Sequence, residues 1–157
     1  MEIGVVLLIA VGIWLYIDYR RLGIDNTTIN GFSKKQYLLT KTEEKFLDGL
    51  EKYVGEEYRV MCQVRLAELI SAGNYKNKGY RSRLNKIQSK SIDFVITNKK
   101  TKVVAAIELD DWTHNKPSRK KRDEIVERIL NNAGLPLIRF RVGRDYNFEE
   151  INRTVTL

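Results

Sequence analysis

Two apolar runs joined by a short polar turn constrain the fold of this chain more than any other feature of its sequence. The runs are SIDFVIT at 91–97 and KVVAAIEL at 102–109, and NKKT connects them. β-branched and aromatic residues favour strands, and a connection of this length is typical of β-hairpins. The sequence therefore predicts an antiparallel pair of strands.

Acidic residues interrupt this predicted hairpin. Strand side chains alternate between faces, so Glu108 and Asp110 share a face. Asp93 lies diagonal to Glu108 if the turn is tight, and directly opposite it if the loop is two residues wider. Burying carboxylates close together is costly without a positive partner. That partner is either a Lys or Arg side chain or a divalent cation, and carboxylate oxygens are ligands that Mg²⁺ and Mn²⁺ prefer.

Capping residues, apolar spacing and strand propensity predict four more elements. They are a helix from Thr40 or Thr42 to Gly55, a strand over 58–66, a helix from Pro117 to Gly134 and a strand over 137–142. The last strand, LIRFRV, alternates apolar residues with Arg, which predicts one buried face and one basic face.

The order of these elements and the segments KSIDFVI, AAIELDDWTH and GLPLIRFRV resemble the PD-(D/E)XK restriction-endonuclease-like superfamily. Within it, the chain is similar to a bacterial domain of unknown function, family 2726, among relatives of the very-short-patch-repair endonucleases. The resemblance covers residues 37–145. It implies an α/β fold, a three-layer core with a mixed central sheet flanked by helices. It also implies a metal-dependent phosphodiesterase site that acts on nucleic acid.

The resemblance also implies roles for particular residues. Asp93 takes the position of the superfamily's first acid and Glu108 that of its second, each as a ligand of Mg²⁺ or Mn²⁺. Asp110 stands where many members carry lysine, and we expect it as a third catalytic acid and metal ligand. His114 is the candidate proton shuttle, because some relatives use histidine in the site. The alternative for the acids is a solvated sheet end without a metal.

Three further residues are candidates for the same site. Glu44 corresponds to a first-helix acid of similar nucleases, although a helix-dipole role explains it equally well. Gln63 would bind phosphate or satisfy a backbone group. Asp123 matches an acid that similar relatives carry in the helix after the hairpin.

Basic residues flank the acids on both sides along the chain. The formal net charge is +8, which favours polyanionic partners. We expect these residues either to bind the nucleic-acid backbone or to form a solvated face. They are Lys76, Lys78, Arg81, Arg83, Lys86 and Lys90 before the hairpin, and Arg119, Lys120 and Arg122 after it.

An uncharged apolar stretch, IGVVLLIAVGIWLYI, occupies residues 3–17 and is followed by Arg20 and Arg21. This pattern predicts a transmembrane anchor over 1–21, a linker over 22–39 and a restriction-endonuclease-like domain over 40–157. The positive charges after the span place the domain in the cytoplasm, so we expect a single-pass protein of the bacterial inner membrane. The alternative for this stretch is a hydrophobic core helix.

Three functions follow as expectations. The first is a membrane-anchored, divalent-metal-dependent nuclease that hydrolyses phosphodiester bonds in DNA or RNA. The second is a catalytically inactive module with the same fold that binds nucleic acid or a protein at the membrane. The third is an adaptor whose basic surface binds anionic lipid.

Overall fold

The protein is described here by a computed structural model over residues 2–21, 31–110 and 117–155. It consists of two compact units, Met1–Leu38 and Leu39–Leu157. The first unit contains helix α1 (Glu2–Arg21), whose large apolar side chains between Val5 and Tyr19 are exposed. Across the described ranges, no helix combines the length and the apolar character needed to span a membrane. The membrane crossing stays a prediction.

The second unit begins with a capped helix, α2 (Lys41–Val54). The Glu43 backbone N–H donates to Thr40 Oγ1 at 3.3 Å, and the Thr40 N–H donates to Glu43 Oε2 at 2.7 Å. This reciprocal capping box satisfies donors that a helix start otherwise leaves unpaired. It confirms Thr40 as the correct one of the two predicted starts. Gly55, with a φ of +69°, ends the helix as predicted.

A four-stranded mixed sheet forms the centre of this unit. Its strands are β1 (Tyr58–Arg65), β2 (Ser91–Asn98), β3 (Val103–Asp110) and β4 (Leu137–Arg141). The spatial order is β1-β2-β3-β4. The β1–β2 and β2–β3 pairs are antiparallel, and β4 is parallel to β3. The predicted hairpin is confirmed, and so is the predicted last strand, which ends one residue earlier than predicted, at Arg141.

The hairpin has a register that a tight turn would not give. Thr97 pairs with Val103, and beyond a bulge Phe94 pairs with Ile107. The Asn98 side chain accepts two backbone N–H groups of the turn at 2.9 Å each. The bulge shifts the pairing by one residue, so every pair beyond it lies closer to the register expected for the wider loop.

Two short helices, α3 (Leu66–Leu69) and α4 (Tyr80–Ile87), lie between β1 and β2. We predicted neither, because helices this short depend on packing and not on intrinsic propensity. Leu66 is buried, and its backbone N–H donates to the Lys90 carbonyl at 2.8 Å. The prediction that β1 extends to Leu66 is therefore wrong by one residue, since that residue begins a helix.

Helix α5 (Pro117–Asn132) connects β3 to β4, because parallel neighbours require a long crossover. It begins at Pro117, as predicted, and Gly134 follows its end with a φ of +70°. A last helix, α6 (Glu149–Thr154), was not predicted, and it buries Ile151.

Apolar cores cover both faces of the sheet. Phe94 and Ile107 pack with Phe46 of α2 and with α6. Side chains of the alternate residues, such as Val95 and Ala106, pack with α4 and α5. Successive strand residues point to opposite faces, so helices flank both sides of the sheet. The predicted α/β class with a mixed sheet between helices is confirmed.

Candidate active site

The acids predicted for the site meet at one end of the sheet. One residue past the Phe94–Ile107 pair, the β2–β3 register brings Asp93 opposite Glu108. Asp110 lies two residues farther along β3 and on the same face as Glu108. Apolar neighbours on this face belong to the core beneath α5. Glu108 and Asp110 therefore project toward the α5 layer, whereas Asp93 is connected through Gln63 to Glu43 of α2.

Asp93 is held by two hydrogen bonds. Its Oδ2 accepts the Leu109 backbone N–H at 2.9 Å, and its Oδ1 accepts the Gln63 side-chain amide at 3.5 Å. Burial raises the pKa of Asp93, the hydrogen bond from Leu109 opposes this rise, and the negative charge of Glu43 adds to it. The carboxyl group is thus fixed in position while its ionised form is disfavoured.

Gln63 links Asp93 to the first helix of the domain. Its Nε2 also donates to Glu43 Oε1 at 3.1 Å. Its backbone φ is +53°, in the left-handed region that residues other than glycine rarely adopt, and the β1–β2 ladder skips it. Strained backbone of this kind is concentrated at functional sites. The strain here places one amide between two carboxylates.

The first helix contributes Glu43 to this cluster, whereas the predicted Glu44 is exposed. Sequence reasoning missed Glu43 and chose its neighbour, because the contact with Gln63 depends on how α2 packs against β1. The Glu43 carboxyl group performs two tasks, since Oε2 accepts the Thr40 N–H and Oε1 accepts the Gln63 amide. The side chain at this position is half-buried.

Glu108 has the larger perturbation of the two facing acids. Burial, followed by the charge of Asp93, raises the pKa of Glu108 to about 8, against a lowering by Arg139. The charges of Asp110 and of Asp123 on α5 add to the rise. Asp123 therefore interacts with the predicted cluster. A carboxyl with this pKa holds its proton near neutral pH unless a cation stabilises the anion.

Arg139 of β4 is the second residue that sequence reasoning missed. Its Nη1 donates to Asp110 Oδ1 at 3.0 Å and to Oδ2 at 2.9 Å. Burial opposes ionisation, but the hydrogen bond to Asp110 and its charge raise the pKa of Arg139 above its usual range. The alternation in LIRFRV indicated a basic face, yet the acid it meets depends on the parallel register. Asp110 thus has an arginine partner, one of the two alternatives considered for the acids.

The carboxylate oxygens suit Mg²⁺ or Mn²⁺ chemically, but the arrangement is smaller than predicted. Among the residues that the structure describes, no three His, Cys, Asp or Glu side chains come together closely enough to hold a metal ion. Arg139 engages Asp110, which leaves Asp93 and Glu108 as the candidate ligand pair. Mg²⁺ commonly uses one or two carboxylates together with water and substrate phosphates. Asp93 and Glu108 therefore provide as many carboxylates as Mg²⁺ commonly uses.

His114 lies outside the described residues, and so do the side chains of the basic residues Arg119, Lys120 and Arg122. The basic residues before the hairpin lie at the surface. Arg83 of α4 also donates a 2.8 Å hydrogen bond from Nε to the carbonyl of Ala72, in the loop that precedes this helix. The exposed members are Lys76, Lys78, Arg81, Arg83 and Lys86, and Lys90 is half-buried. Helix α4, which carries three of them, packs on the same face of the sheet as the acids.

Comparison with known proteins gives a family without an assigned activity. A protein of Haemophilus influenzae named "Uncharacterized protein" is 27% identical over 108 residues, which are 69% of this chain and 55% of that protein. The chain thus spans about half the length of this curated relative. No solved structure matches. A family model described as "Protein of unknown function (DUF2726)" matches residues 35–157, and the chain therefore belongs to the DUF2726 family.

Proposed function

We propose that this protein is a divalent-metal-dependent nuclease that hydrolyses phosphodiester bonds in DNA or RNA. One observation carries the proposal. Asp93 and Glu108 face each other on adjacent strands, and burial raises the pKa values of both. The charge of Asp93 adds to the rise at Glu108, and the charge of Glu43 adds to the rise at Asp93. A folded protein that keeps two such carboxyl groups together needs a compensating role for them, and a divalent cation provides one.

The topology is consistent with the proposed PD-(D/E)XK membership. Helix α2 precedes an antiparallel three-strand unit, and α5 then crosses to a parallel strand. The first acid lies on the second strand and the second acid on the third, as the resemblance implies. This order supports the restriction-endonuclease-like assignment, which we propose for the domain.

Asp93 and Glu108 would hold Mg²⁺ or Mn²⁺ through carboxylate oxygens. The bound ion would supply a water of lowered pKa and neutralise charge on the phosphate. Leu109 and Gln63 orient Asp93, so that its oxygens need not reorganise when a cation binds. We propose His114 as the proton shuttle because its ordinary pKa lies near neutrality.

Metal binding and cleavage test this function together. The natural chain is expected to bind Mn²⁺ in calorimetry and to cleave labelled DNA or RNA in its presence. Asp93→Asn and Glu108→Gln should each abolish both properties while retaining the circular dichroism spectrum. Glu57→Gln, at an exposed position outside the cluster, is the matched control. A chain that binds no Mn²⁺ and cleaves none of these substrates would refute the enzymatic proposal.

A second candidate is a nucleic-acid-binding module without catalysis. The ion pair between Asp110 and Arg139 favours it, because an arginine already provides part of the positive charge that a metal would supply. The exposed basic residues of α4 and its preceding loop are the proposed contact surface. Binding of oligonucleotides without any Mn²⁺-dependent cleavage would select this alternative.

We also propose that residues 1–21 anchor the domain to the bacterial inner membrane, with the domain in the cytoplasm. The apolar side chains of α1 are exposed in the chain alone, which supports a lipid partner. Deletion of residues 1–21 should move the protein from the membrane fraction to the soluble fraction. A deletion product that still sediments with membranes contradicts the anchor.

A further inference from the structure

Strand β4 places two arginines beside the acids of β3. In the parallel register Arg139 pairs with Glu108 and Arg141 with Asp110. Residues two apart on a strand share a face, so both arginines lie on the face that carries the acids. Between them, Phe140 is buried on the opposite face. An acidic strand end and a basic strand end therefore lie side by side.

The contact between Arg139 and Asp110 uses only part of the guanidinium group. Nη1 donates to both carboxylate oxygens, at 3.0 and 2.9 Å. An arginine offers five N–H donors in a planar fork. Within the part of the chain that the structure describes, the hydrogen bonds of this guanidinium group run through Nη1. The edge formed by Nε and Nη2 can therefore meet another planar or tetrahedral oxyanion.

The exposure of this ion pair argues against a purely structural role. The side chain of Arg139 is 29% exposed and that of Asp110 is 44% exposed. Ion pairs that solvent reaches contribute little to stability. The pair nevertheless keeps a cation beside Glu108, where its charge offsets the repulsion between an approaching phosphate and the carboxylate of Asp93.

We infer that Arg139 binds a non-bridging oxygen of a nucleic-acid phosphate, and that Asp110 is a positioning residue that holds the guanidinium group for this contact. The inference deepens the proposed function and rests on it for the identity of the phosphate. In this assignment Asp110 acts through Arg139 and does not ligate the metal. The outer edge of the guanidinium fork faces the phosphate, while Glu108 lies beside Arg139 on β3 and Asp93 lies one strand farther away on β2.

Binding without cleavage tests this assignment. The probes are fluorescent single-stranded DNA, its duplex and the corresponding RNA, titrated with the full chain in Ca²⁺ at several salt concentrations. Arg139→Gln should weaken binding roughly tenfold or more, because hydrogen bonds to charged groups are the strong ones. The slope of log K against log salt should decrease in magnitude by about 1, which corresponds to the loss of one phosphate contact. Arg59→Gln, an exposed arginine on β1 whose partner is Thr97, is the charge-matched control.

The double variant Asp110→Asn with Arg139→Gln removes the pair without changing net charge. It should bind as weakly as Arg139→Gln, and Arg139→Lys should recover part of the affinity. Unchanged affinity and salt slope in Arg139→Gln overturn the inference. Mn²⁺ calorimetry on the same variants separates this result from the proposed function. Removal of the positive charge of Arg139 should leave the affinity for Mn²⁺ unchanged or raise it. Absence of Mn²⁺ binding in the natural chain would count against the nuclease proposal and not against the role of Arg139.

Discussion

Glu108 and Asp110 lie two residues apart on one strand and on one face, yet they have different electrostatic surroundings. Asp110 receives two hydrogen bonds from Arg139. Glu108 faces Asp93 across the hairpin, and its pKa is raised to about 8. The difference teaches that position on a strand does not decide the role of an acid. The neighbouring strand decides it, by bringing either an arginine or a second carboxyl group.

The largest expected effect concerns Glu108 and pH. Its pKa in the folded protein, about 8, exceeds the ordinary value of 4.5. The resulting stabilisation is therefore full below pH 4.5 and is lost as pH rises through 8. We expect Glu108→Gln to remove this decline, which amounts to roughly 2–4 kcal/mol between pH 5 and pH 9, since one pKa unit is about 1.4 kcal/mol.

Urea denaturation of the metal-free protein at both pH values measures this effect. Glu57→Gln again serves as the control, because that carboxyl group is exposed. Parallel stability curves for the natural chain and Glu108→Gln would show that the proton on Glu108 does not matter for folding.

Cation binding provides the next test of the contrast. At a Mn²⁺ concentration a hundredfold above Kd, the folded state should gain about 2.7 kcal/mol in free energy of unfolding. Asp93→Asn should abolish this gain, whereas Asp110→Asn should retain it because Asp110 is engaged by Arg139. Thermal unfolding of both variants with and without Mn²⁺ measures the gain in stability in each. Equal loss in both variants would return Asp110 to the ligand set.

Gln63 tests how the acid pair is held in place. Gln63→Leu keeps the strained φ and removes the donor for Glu43 and Asp93, at an expected cost of about 1–2 kcal/mol. Gln63→Gly removes the same donor but relieves the left-handed strain, so it should be about 1 kcal/mol more stable than the leucine variant. Denaturant midpoints of the two variants measure the difference. A glycine variant less stable than the leucine variant would mean that the backbone is not strained.

The smallest expected effect is on the stability contribution of the ion pair. Asp110→Asn should lower the free energy of unfolding by about 1 kcal/mol or less, because both partners are partly exposed to solvent. Denaturation at low and high salt measures this loss, and the difference in stability between the natural chain and Asp110→Asn should shrink in high salt. A loss of several kcal/mol would indicate that the pair supports the fold.

Much of the architecture was predictable because its signals are local. The cap-forming threonines predicted a start of α2 at Thr40 or Thr42, of which the structure shows Thr40, and Pro117 and Gly134 predicted the bounds of the crossover helix. The alternation of LIRFRV predicted a strand with one buried face, and Ile138 and Phe140 are buried. These signals lie within a few residues of the element that they describe.

The candidate site was less predictable because its contacts are not local. Glu43 and Gln63 are 20 residues apart in the chain, and Asp110 and Arg139 are 29 apart. The bulge at Thr97 decides that Asp93 faces Glu108 and not a neighbouring position. No periodic pattern contains these offsets, because each depends on how separate elements pack.

The sequence by itself determined the order of the main elements, their faces and the presence of acids on a mostly apolar hairpin. Periodicity and capping are properties of consecutive residues, so they survive without knowledge of the fold. Only the tertiary structure decided which acid keeps its proton and which is paired with arginine. Those outcomes depend on burial and on charges brought together from distant segments, and both exist only after the sheet has formed.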